Sequence, residues 1–256
     1  MGALPAVLDE VPADSTTPDR LQTILEINRS AYDHLAPTYR ASALERQVNA
    51  KEWLIRRIPP ATGTRPRTAL DIGCADGTHA RVLSTLGFTV TGVDFSPAMI
   101  AAARELNADP TLVAPPRLLH GEFLSGDYTD ERGTPVRLDD ELFDVVLATA
   151  FVHLFPPESD EEAMSRVLAH VAPGGTALVT TTVAADGRRG LEDKAAADGV
   201  TALRWRNHYA LEMFLGIVRL SVLDAWGTRA SVRPWILPDR VDPAKRWVDV
   251  VIQRPD

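Results

Sequence analysis

From residue 68 onward, short apolar segments alternate with amphipathic ones, and this alternation limits the possible folds more than any other feature. Strands are predicted at about residues 68–72, 89–93, 117–119, 143–148 and 176–183. Helices are predicted between them at about residues 78–86, 97–106 and 159–171, the last with a capping box of Ser159 and Glu162. Because strands joined by helices run parallel and are covered on both faces, the sequence predicts an α/β fold with a doubly wound, mostly parallel sheet.

The segments on either side of this region predict a helical beginning and an antiparallel end. Two amphipathic helices precede the first strand; the first ends at Pro37 and the second spans about residues 43–58. Near the carboxyl terminus we predict a helix around residues 209–218 and two strands, 221–226 and 246–252. The link between these strands is too short and too rich in proline for a crossover helix, so they should form an antiparallel hairpin.

Length and local composition predict one domain with a short arm before it. Residues 1–18 contain three prolines among acidic residues and show no sustained periodicity, so we expect a mobile arm. Residues 19–256 suffice for one sizeable α/β domain and are too few for two. Within this domain, residues 19–60 are expected to form a helical lid and residues 184–209 a second cap segment.

Charge and cysteine content exclude several classes of partner. The net charge of −8 argues against nucleic acid, because the protein would repel a phosphate backbone. The single cysteine, Cys74, cannot form an intramolecular disulfide, and the first twenty residues lack the regions of a signal peptide. No apolar run approaches the roughly 18 residues of a membrane span. We therefore expect a cytoplasmic protein that binds neither nucleic acid nor membrane.

A glycine turn joins the first predicted strand to the helix after it. From Gly73 to Gly77 it reads Gly-x-Ala-x-Gly, so a ligand can approach the backbone and the free N–H groups of the helix. The dinucleotide fingerprint requires Gly-x-Gly-x-x-Gly instead. Asp71, two residues before Gly73, would repel a pyrophosphate but suits an ammonium group. An NAD-dependent oxidoreductase is therefore less favoured than a protein that binds a cationic ligand.

The second predicted strand ends at Asp94, which is followed by Phe95. A carboxylate at this position can accept hydrogen bonds from both hydroxyls of a ribose, as is typical of adenosine recognition on such a sheet. Phe95 and Met99 can cover an adenine face. Taken alone, Asp94 would equally serve as a helix N-cap and Met99 as a core residue. The adenosine hypothesis therefore depends on combining them with the glycine turn.

Together these motifs resemble those of the class I, seven-stranded S-adenosylmethionine-dependent methyltransferases, in their small-molecule branch. The resemblance extends over residues 31–254, and the turn from Asp71 to Gly77 together with Asp94 is its most specific part. It implies a Rossmann-like sheet of strand order 3-2-1-4-5-7-6 with strand 7 antiparallel, in agreement with the predicted hairpin. Ala75 stands where the family most often has glycine, and Glu122 where it most often has aspartate.

The resemblance also implies a site for S-adenosylmethionine. Asp71 and the backbone at Gly73 would serve the methionine end, Asp94 the ribose and Glu122 the adenine amino group. Ala148, at the end of the fourth strand, would border the methionine moiety.

Two tyrosines are added to this site by a segment that looks like the N-terminal lid of the family. The rings of Tyr32 and Tyr39 can screen the cofactor from water and face its sulfonium, although packing alone is an equal alternative. The candidate cofactor-binding residues are Tyr32, Tyr39, Asp71, Gly73, Gly77, Asp94, Phe95, Met99, Glu122, Phe123 and Ala148.

The expected reaction is methyl transfer to an O, N or C nucleophile of a small-molecule acceptor, as in natural-product tailoring, with S-adenosylhomocysteine as the second product. His153 is the candidate general base because it follows the fourth strand at the carboxyl edge of the sheet. His34 and His208, in the lid and cap segments, are alternatives. The cap arginines, which can bind an acceptor carboxylate or form a solvated face, are Arg188, Arg189, Arg204 and Arg206.

Two alternatives keep the cofactor but not the reaction. The protein can bind S-adenosylmethionine without transferring its methyl group, or use the sulfonium charge in a cyclisation or rearrangement. Release of S-adenosylhomocysteine distinguishes methyl transfer from both. Because no His, Cys, Asp and Glu residues show metal-ligand spacing, we predict no metal.

Overall fold

The computed structural model of the protein describes residues 17–58, 67–195, 198–239 and 242–256. Its helices are α1 (Thr17–Ala41), α2 (Ala43–Arg57), α3 (Thr78–Thr85), α4 (Pro97–Asn107), α5 (Asp160–Ala169) and α6 (Leu211–Trp226). Its strands are β1 (Arg67–Ile72), β2 (Phe88–Asp94), β3 (Arg117–Glu122), β4 (Asp127–Thr129), β5 (Pro135–Val136), β6 (Phe143–Thr149), β7 (Val171–Ala184), β8 (Arg189–Ala195), β9 (Thr201–Asn207), β10 (Ser231–Pro238) and β11 (Lys245–Gln253). The predicted arm, residues 1–18, lies outside the described residues except for its last two, with which α1 begins. Among the described helices, none is both long enough and apolar enough to cross a membrane.

Within the described residues, a nine-stranded sheet has the order β10-β11-β7-β6-β1-β2-β3-β4-β5. The strands from β7 to β3 are parallel, and β11 runs antiparallel between β7 and β10. When the seven strands of this sheet other than β4 and β5 are numbered along the chain, their order is 3-2-1-4-5-7-6, which confirms the predicted topology. The short strands β4 and β5 add an antiparallel extension next to β3.

The strands at the centre of the sheet are buried on both faces. Val146 of β6 packs in a cluster that includes Val167 of α5 and Val218 of α6. Its neighbours Val145 and Leu147 pack in a different cluster, with residues of α2 and α3. Successive side chains of a strand point to opposite faces, so a continuously apolar strand needs helices on both sides. The predicted doubly wound α/β architecture is therefore confirmed.

The strand predicted at residues 221–226 is wrong, because these residues form the last part of α6. Val218 and Val222, one helical turn apart, are both buried in the same apolar cluster, and this packing keeps the segment helical. The strand that pairs with β11 is β10. Pro234 is tolerated there because β10 lies at the edge of the sheet, where a ladder hydrogen bond is not required of every residue.

Helix α1 buries one apolar face, as predicted, but it is longer than predicted. Ile24, Tyr32 and Leu35 are all buried. The helix continues through Pro37 to residue 41. Thr38, after the proline, is buried like Leu35, and this packing outweighs the one backbone hydrogen bond that proline removes.

Helix α5 begins at Asp160 and lacks the predicted capping box. Ser159, at the N-cap, makes no side-chain hydrogen bond to the helix, so its pairing with Glu162 is absent. The first turn carries three acidic residues instead, whose charge complements the helix dipole. One of them, Asp160, is buried and accepts a hydrogen bond of 2.6 Å from the hydroxyl of Tyr209.

Helix α1 and the antiparallel pair of β8 and β9, which we call the cap hairpin, meet at a buried asparagine. Asn28 of α1 donates a hydrogen bond to the carbonyl oxygen of Leu154 (3.0 Å) and accepts one from the backbone N–H of Trp205 in β9 (2.9 Å). This amide joins the helix, the cap hairpin and the loop after β6. It therefore positions three of the walls that surround the carboxyl ends of the parallel strands.

We predict that Gly121→Ala lowers the free energy of unfolding by about 1 to 3 kcal/mol, as is usual when a packed site is overfilled. A Cβ at residue 121 would lie 2.1 Å from the backbone oxygen of Asp127 in β4. Gly216→Ala in α6 is the control, since no described atom lies within 4 Å of its Cβ; it should stabilise the protein by about 0.5 to 1 kcal/mol. Urea unfolding followed by circular dichroism measures both variants, and equal stabilities would contradict the close pairing of β3 with β4.

Candidate active site

The turn after β1 has a left-handed backbone at alternate residues. The φ angles of Gly73, Ala75 and Gly77 are +68°, +48° and +74°, a region that glycine adopts freely and alanine only with strain. The backbone N–H of Gly73 donates to the carbonyl oxygen of Val93 at 2.9 Å, which ties the turn to β2. The predicted glycine turn is therefore a tight one that leads directly into α3.

The two glycines of this turn are needed for different reasons. A Cβ at residue 73 would lie 2.6 Å from a ring carbon of Phe151. A Cβ at residue 77 would lie 2.8 Å from the side-chain amide nitrogen of Asn107 in α4. Gly73 thus leaves room beside an aromatic ring at the sheet edge, whereas Gly77 allows α3 and α4 to pack.

Asp94, at the end of β2, holds the turn in place. Its carboxylate accepts hydrogen bonds from the backbone N–H groups of Ala75 (2.9 Å) and Ser96 (2.9 Å). Burial raises the pKa of Asp94 to about 6, and the backbone donors limit that rise. The same carboxylate borders the cavity described below, where it can accept further hydrogen bonds from a ligand.

Asp71, just before the turn, is buried, and neither carboxylate oxygen has a hydrogen-bond partner of normal geometry among the described residues. Burial raises the pKa of Asp71 to about 8; the charges of Asp94 and Asp76 add to the rise, and the backbone N–H of Ala80 opposes it. A buried carboxyl group without a hydrogen-bond partner lowers the stability of the folded protein. A cationic group bound at the turn would remove that cost.

A cavity of about 1050 Å³ lies at the carboxyl edge of the parallel strands, under α1 and the cap hairpin. This volume slightly exceeds the ~300 to 1,000 Å³ range that is usual for small-molecule sites. The predicted cofactor-binding residues that line it are Tyr32, Tyr39, Gly73, Asp94, Phe95, Glu122 and Phe123. The others are buried without lining it, namely Asp71, Gly77, Met99 and Ala148.

Glu122 and Met99 both support the wall of the cavity near β2 and β3. The carboxylate of Glu122 accepts hydrogen bonds from the backbone N–H groups of Leu124 (2.8 Å) and Ser125 (2.6 Å), which closes the turn after β3. Met99 packs in an apolar cluster with Tyr32, so in this structure it supports the ring of that tyrosine and does not face the cavity.

Tyr32 and Tyr39 of α1 surround a cation. The ammonium nitrogen of Lys194 lies 4.8 Å and 4.7 Å from their ring centroids and donates a hydrogen bond to the hydroxyl of Tyr39. The hydroxyl of Tyr32 accepts a hydrogen bond from Arg204 at 3.0 Å. Burial alone would raise the pKa of Tyr32, but Lys194, Arg204 and Arg206 outweigh it and lower the pKa to about 8. The tyrosines are therefore joined to the cap hairpin by charge as well as by packing.

Five charged residues of the cap hairpin line the cavity; Asp193 is exposed, and the other four share one face of the hairpin. Alternate residues of a strand share a face, and the residues on this face are Glu192 and Lys194 of β8 and Arg204 and Arg206 of β9. Glu192 accepts hydrogen bonds from Arg204 (2.9 Å) and His208 (2.7 Å) and forms an ion pair with Arg206 (3.5 Å). These contacts lower the pKa of Glu192 far enough, against the effect of burial, to keep it ionised.

The structure divides the cap arginines and the candidate histidines by position. Arg204 and Arg206 line the cavity, whereas Arg188 and Arg189 are exposed and do not. His34 is exposed, and His208 is buried behind Glu192. Sequence analysis did not identify Glu192 and Lys194. Their spacing of two residues, opposite the same spacing in Arg204 and Arg206, is the signal that could have revealed them.

His153 lies in a short helical turn after β6, is fully buried and lines the cavity. Its Nδ1 is 3.0 Å from the hydroxyl oxygen of Thr181, and its Nε2 has no partner among the described residues. Burial lowers its pKa well below the usual value, and the cations Arg206 and Arg204 lower it further. The imidazole is therefore neutral at pH 7, so it can accept a proton but is a weak base.

The sheet order and the glycine turn between β1 and α3 define a Rossmann-like fold of the class I methyltransferase type. Residues 69–175 match a family described as a methyltransferase domain. The resemblance seen in the sequence is thereby confirmed.

The chain is similar to two named proteins in sequence and to a solved structure in fold. An uncharacterised methyltransferase of Mycobacterium tuberculosis is 33% identical over 122 residues, which are 48% of this chain and 54% of that protein, so the chain matches about half the length of this relative. The trans-aconitate 2-methyltransferase of Paracidovorax citrulli is 28% identical over 227 residues, or 85% of this chain and 72% of that protein. The solved structure of the DhpI–SAH complex shares the fold, with a TM-score of 0.58 at 20% identity over 91% of this chain and 98% of that one.

We predict that Asp71→Asn stabilises the ligand-free protein increasingly as the pH rises. The pKa of Asp71 is about 8 in the folded protein against an ordinary value of 3.8. Between these values the folded state retains a proton that the unfolded state has lost, so the carboxyl group reduces stability as the pH rises towards 8. The stability advantage of the variant should grow by at least about 1 kcal/mol between pH 5 and pH 8. Urea unfolding at both pH values tests this, and an advantage that does not change with pH would contradict it.

Proposed function

We propose that the protein transfers a methyl group from S-adenosylmethionine to a small-molecule acceptor and releases S-adenosylhomocysteine. The observation that carries the proposal is the single cavity in which Gly73 and Asp94 of the turn region and His153 after β6 meet. The methyltransferase domain at residues 69–175 supports the same reaction, as does the similarity to proteins named methyltransferases.

The residues around the turn fit this cofactor. S-Adenosylmethionine carries an ammonium and a sulfonium group, and the unpaired buried carboxyl group of Asp71 is suited to a cation. Asp94 borders the cavity with a carboxylate that can accept hydrogen bonds from ribose hydroxyls. We infer that Asp71 and the backbone at Gly73 hold the methionine end, Asp94 the ribose and Glu122 the adenine amino group.

The bound cofactor supplies an electrophilic methyl carbon: the acceptor forms a bond to it while the carbon–sulfur bond breaks and returns its electron pair to sulfur. The protein contributes mainly by positioning, which can supply about 7 to 11 kcal/mol of the barrier in well-oriented reactions. Tyr32 and Tyr39, joined to Lys194 above the cavity edge, help to exclude water.

His153 is proposed as the base for an acceptor that must lose a proton from oxygen or nitrogen. The hydroxyl of Thr181 donates to the carbonyl oxygen of Thr182 (3.4 Å), so it accepts a hydrogen bond from the Nδ1–H of His153. This tautomer leaves a lone pair on Nε2, the ring nitrogen without a protein partner among the described residues. The proton released by the acceptor would pass to that atom.

We further propose that residues 19–256 act as one domain in which α1 and α2 serve as a lid. Tyr32 and Tyr39 of α1 and Arg46 of α2 line the cavity, which supports this role. The net charge of −8 favours a small acceptor over a nucleic acid. The cytoplasm is proposed as the compartment because the single cysteine, Cys74, cannot form an intramolecular disulfide.

The test measures binding and turnover separately. Isothermal titration calorimetry should show binding of S-adenosylmethionine and S-adenosylhomocysteine but not of NAD. With an accepted substrate, one S-adenosylhomocysteine should appear for each methyl group transferred. A product formed without S-adenosylhomocysteine would favour a cyclisation or rearrangement, and a wild-type protein that binds no S-adenosylmethionine would overturn the proposal.

We predict that cofactor affinity falls below about pH 6, because Asp94 accepts ribose hydroxyls best when ionised and its pKa is raised to about 6. At pH 5 the wild type should bind roughly tenfold more weakly than at pH 7. Asp94→Asn should bind about tenfold more weakly at pH 7, equivalent to about 1.4 kcal/mol, and should lose the pH dependence. Calorimetry at both pH values measures this, and identical pH profiles for the two proteins would remove Asp94 from the site.

We predict that His153→Gln keeps the cofactor affinity but lowers kcat by about 10² to 10⁴ for an O or N acceptor. In the wild type, the acid limb of the kcat/KM profile should lie well below pH 6.5, because burial and Arg206 lower the pKa of His153. His170→Gln is the control, since His170 contacts the backbone oxygen of Glu141 and does not line the cavity. Wild-type turnover by the folded His153→Gln protein would show that positioning alone suffices.

A further inference from the structure

We propose that the acceptor carries a carboxylate or phosphoryl group and that this anion binds to Arg204 and Arg206 on the cavity face of the cap hairpin. The inference rests on the proposed function, because it places the acceptor in the cavity that also holds the methyl donor. It identifies the class of acceptor as a small organic anion.

Both guanidinium groups belong to the cavity wall and do not extend into solvent. Arg204 and Arg206 are 5% and 8% exposed, and both line the cavity. Arg204 donates to the hydroxyl of Tyr32 (3.0 Å) and to Glu192 (2.9 Å), and Arg206 donates to the hydroxyl of Thr182 (2.7 Å). Each guanidinium is thus held in one orientation before any ligand arrives, so little side-chain entropy is lost on binding.

The negative charge of Glu192 is smaller than the positive charge on the same face of the cap hairpin. Lys194, Arg204 and Arg206 all face the cavity. Among the described residues, the carboxylate that forms ion pairs with the two arginines is that of Glu192. The ammonium of Lys194 contacts the rings of two tyrosines. The face therefore carries a surplus of positive charge.

Three other charged groups near this face leave the surplus unchanged. Lys245 lies 3.8 Å from Glu192 but closer, at 3.5 Å, to Asp242, which balances it. Asp193 also lines the cavity, but it alternates to the other face of β8, is exposed and leaves the face with more cations than acids. No additional acid of the described chain is paired with the arginines of the wall.

Three groups at the wall respond to this surplus in the same direction. The pKa of Tyr32 is lowered to about 8 although burial acts against it. The pKa of His153 is lowered by burial first and then by Arg206 and Arg204. The pKa of Arg206 itself is lowered to about 10, by burial and then by Arg204. These three groups shift towards the form with less positive charge, through burial in His153 and Arg206 and through the neighbouring cations in all three. The pKa of Arg204 is raised instead, because Tyr32 and Glu192 outweigh its burial, so the geometry of the wall carries the argument.

An anion would supply the counter-charge and hydrogen-bond acceptors that this wall lacks. The Nε atoms of Arg204 and Arg206 have no acceptor among the described residues. A guanidinium fork matches two oxygens of a carboxylate or phosphoryl group. Because buried cations without counter-charge reduce stability, an anion that binds here both offsets that loss and is held in a defined orientation.

The carboxylate of the methyl donor is the rival occupant. Arg206 bonds to Thr182 in β7, whereas Asp94 ends β2. Three strand spacings separate β7 from β2 in the sheet, a distance of roughly 14 Å. Arg204 lies nearer the donor side, since it contacts Tyr32, whose ring centroid is 6.3 Å from that of Phe95. Arg46, paired with Asp76 in the glycine turn, is a cation already present at the donor side. The two occupants are distinguished by saturating the protein with S-adenosylhomocysteine first.

The experiment titrates succinate, inorganic phosphate and neutral succinamide into the folded protein saturated with S-adenosylhomocysteine, by calorimetry and thermal shift. At least one anion should bind and raise Tm, whereas succinamide should not. Succinate binding alone indicates a carboxylate acceptor, and phosphate binding alone a phosphoryl one. Arg204→Gln and Arg206→Gln should each weaken anion binding at least tenfold. Arg233→Gln, which removes an exposed arginine of β10, should leave it unchanged.

Three results would overturn the inference. The first is that the wild type binds no anion. The second is that the Arg204→Gln and Arg206→Gln proteins bind anions as tightly as the wild type. The third is that both variants lose affinity for S-adenosylhomocysteine, which would assign the arginines to the cofactor. If a glutamine variant does not fold, Arg206→Lys replaces it; this variant keeps the charge without the fork and should bind anions at least threefold more weakly. If the proposed function itself is wrong, the wild type will not bind S-adenosylmethionine, and this result distinguishes that failure from the three above.

Discussion

The carboxylate of Asp94 fixes the part of the molecule on which the rest of the site depends. By accepting the N–H groups of Ala75 and Ser96, it joins the left-handed turn after β1 to the tip of β2. Glycine at residues 73 and 77 lets the turn pack closely against Phe151 and Asn107, and the hydrogen bond from Ala75 to Asp94 holds it in that position. The result is a rigid backbone cradle with buried acid at its base. Such a cradle binds a cation without first having to reorganise.

The cavity has opposite charges at its two ends, and the fold keeps them apart. Asp94 borders the cavity at the end of β2, with the buried Asp71 behind it at the end of β1, whereas Arg204 and Arg206 face the cavity from the cap hairpin beside β7. If these groups could pair directly, they would neutralise one another and fill the cavity. The intervening strands prevent this, so the charged groups at each end lack sufficient counter-charge in the ligand-free protein. A cationic donor and an anionic acceptor would each stabilise the folded state by binding to it.

The accuracy of the sequence-based predictions followed the range of the interactions involved. The strand predicted at about residues 68–72, which spans Arg67–Ile72 in the structure, was predicted correctly, as was the glycine turn, because each depends on neighbours along the chain. Residues 221–226 were predicted as a strand but are helical, because Val218 and Val222, one helical turn apart, are buried in the same apolar cluster. For the same reason, buried residues on both sides of Pro37 keep α1 helical beyond it.

The sequence by itself determined the class of fold and the position of the glycine turn, because alternating periodicities and short motifs express local geometry. The strand order was expected from the resemblance to a known family. Only the tertiary structure decided what surrounds His153 and which cations face the cavity. The charges of Glu192, Lys194, Arg204 and Arg206 come together because β8 pairs with β9 in one register, and that register was not predicted. The neutral state of His153 likewise depends on burial and on arginines about fifty residues away in the chain. Electrostatic environment is a property of distances in space, and those distances exist only once the chain has folded.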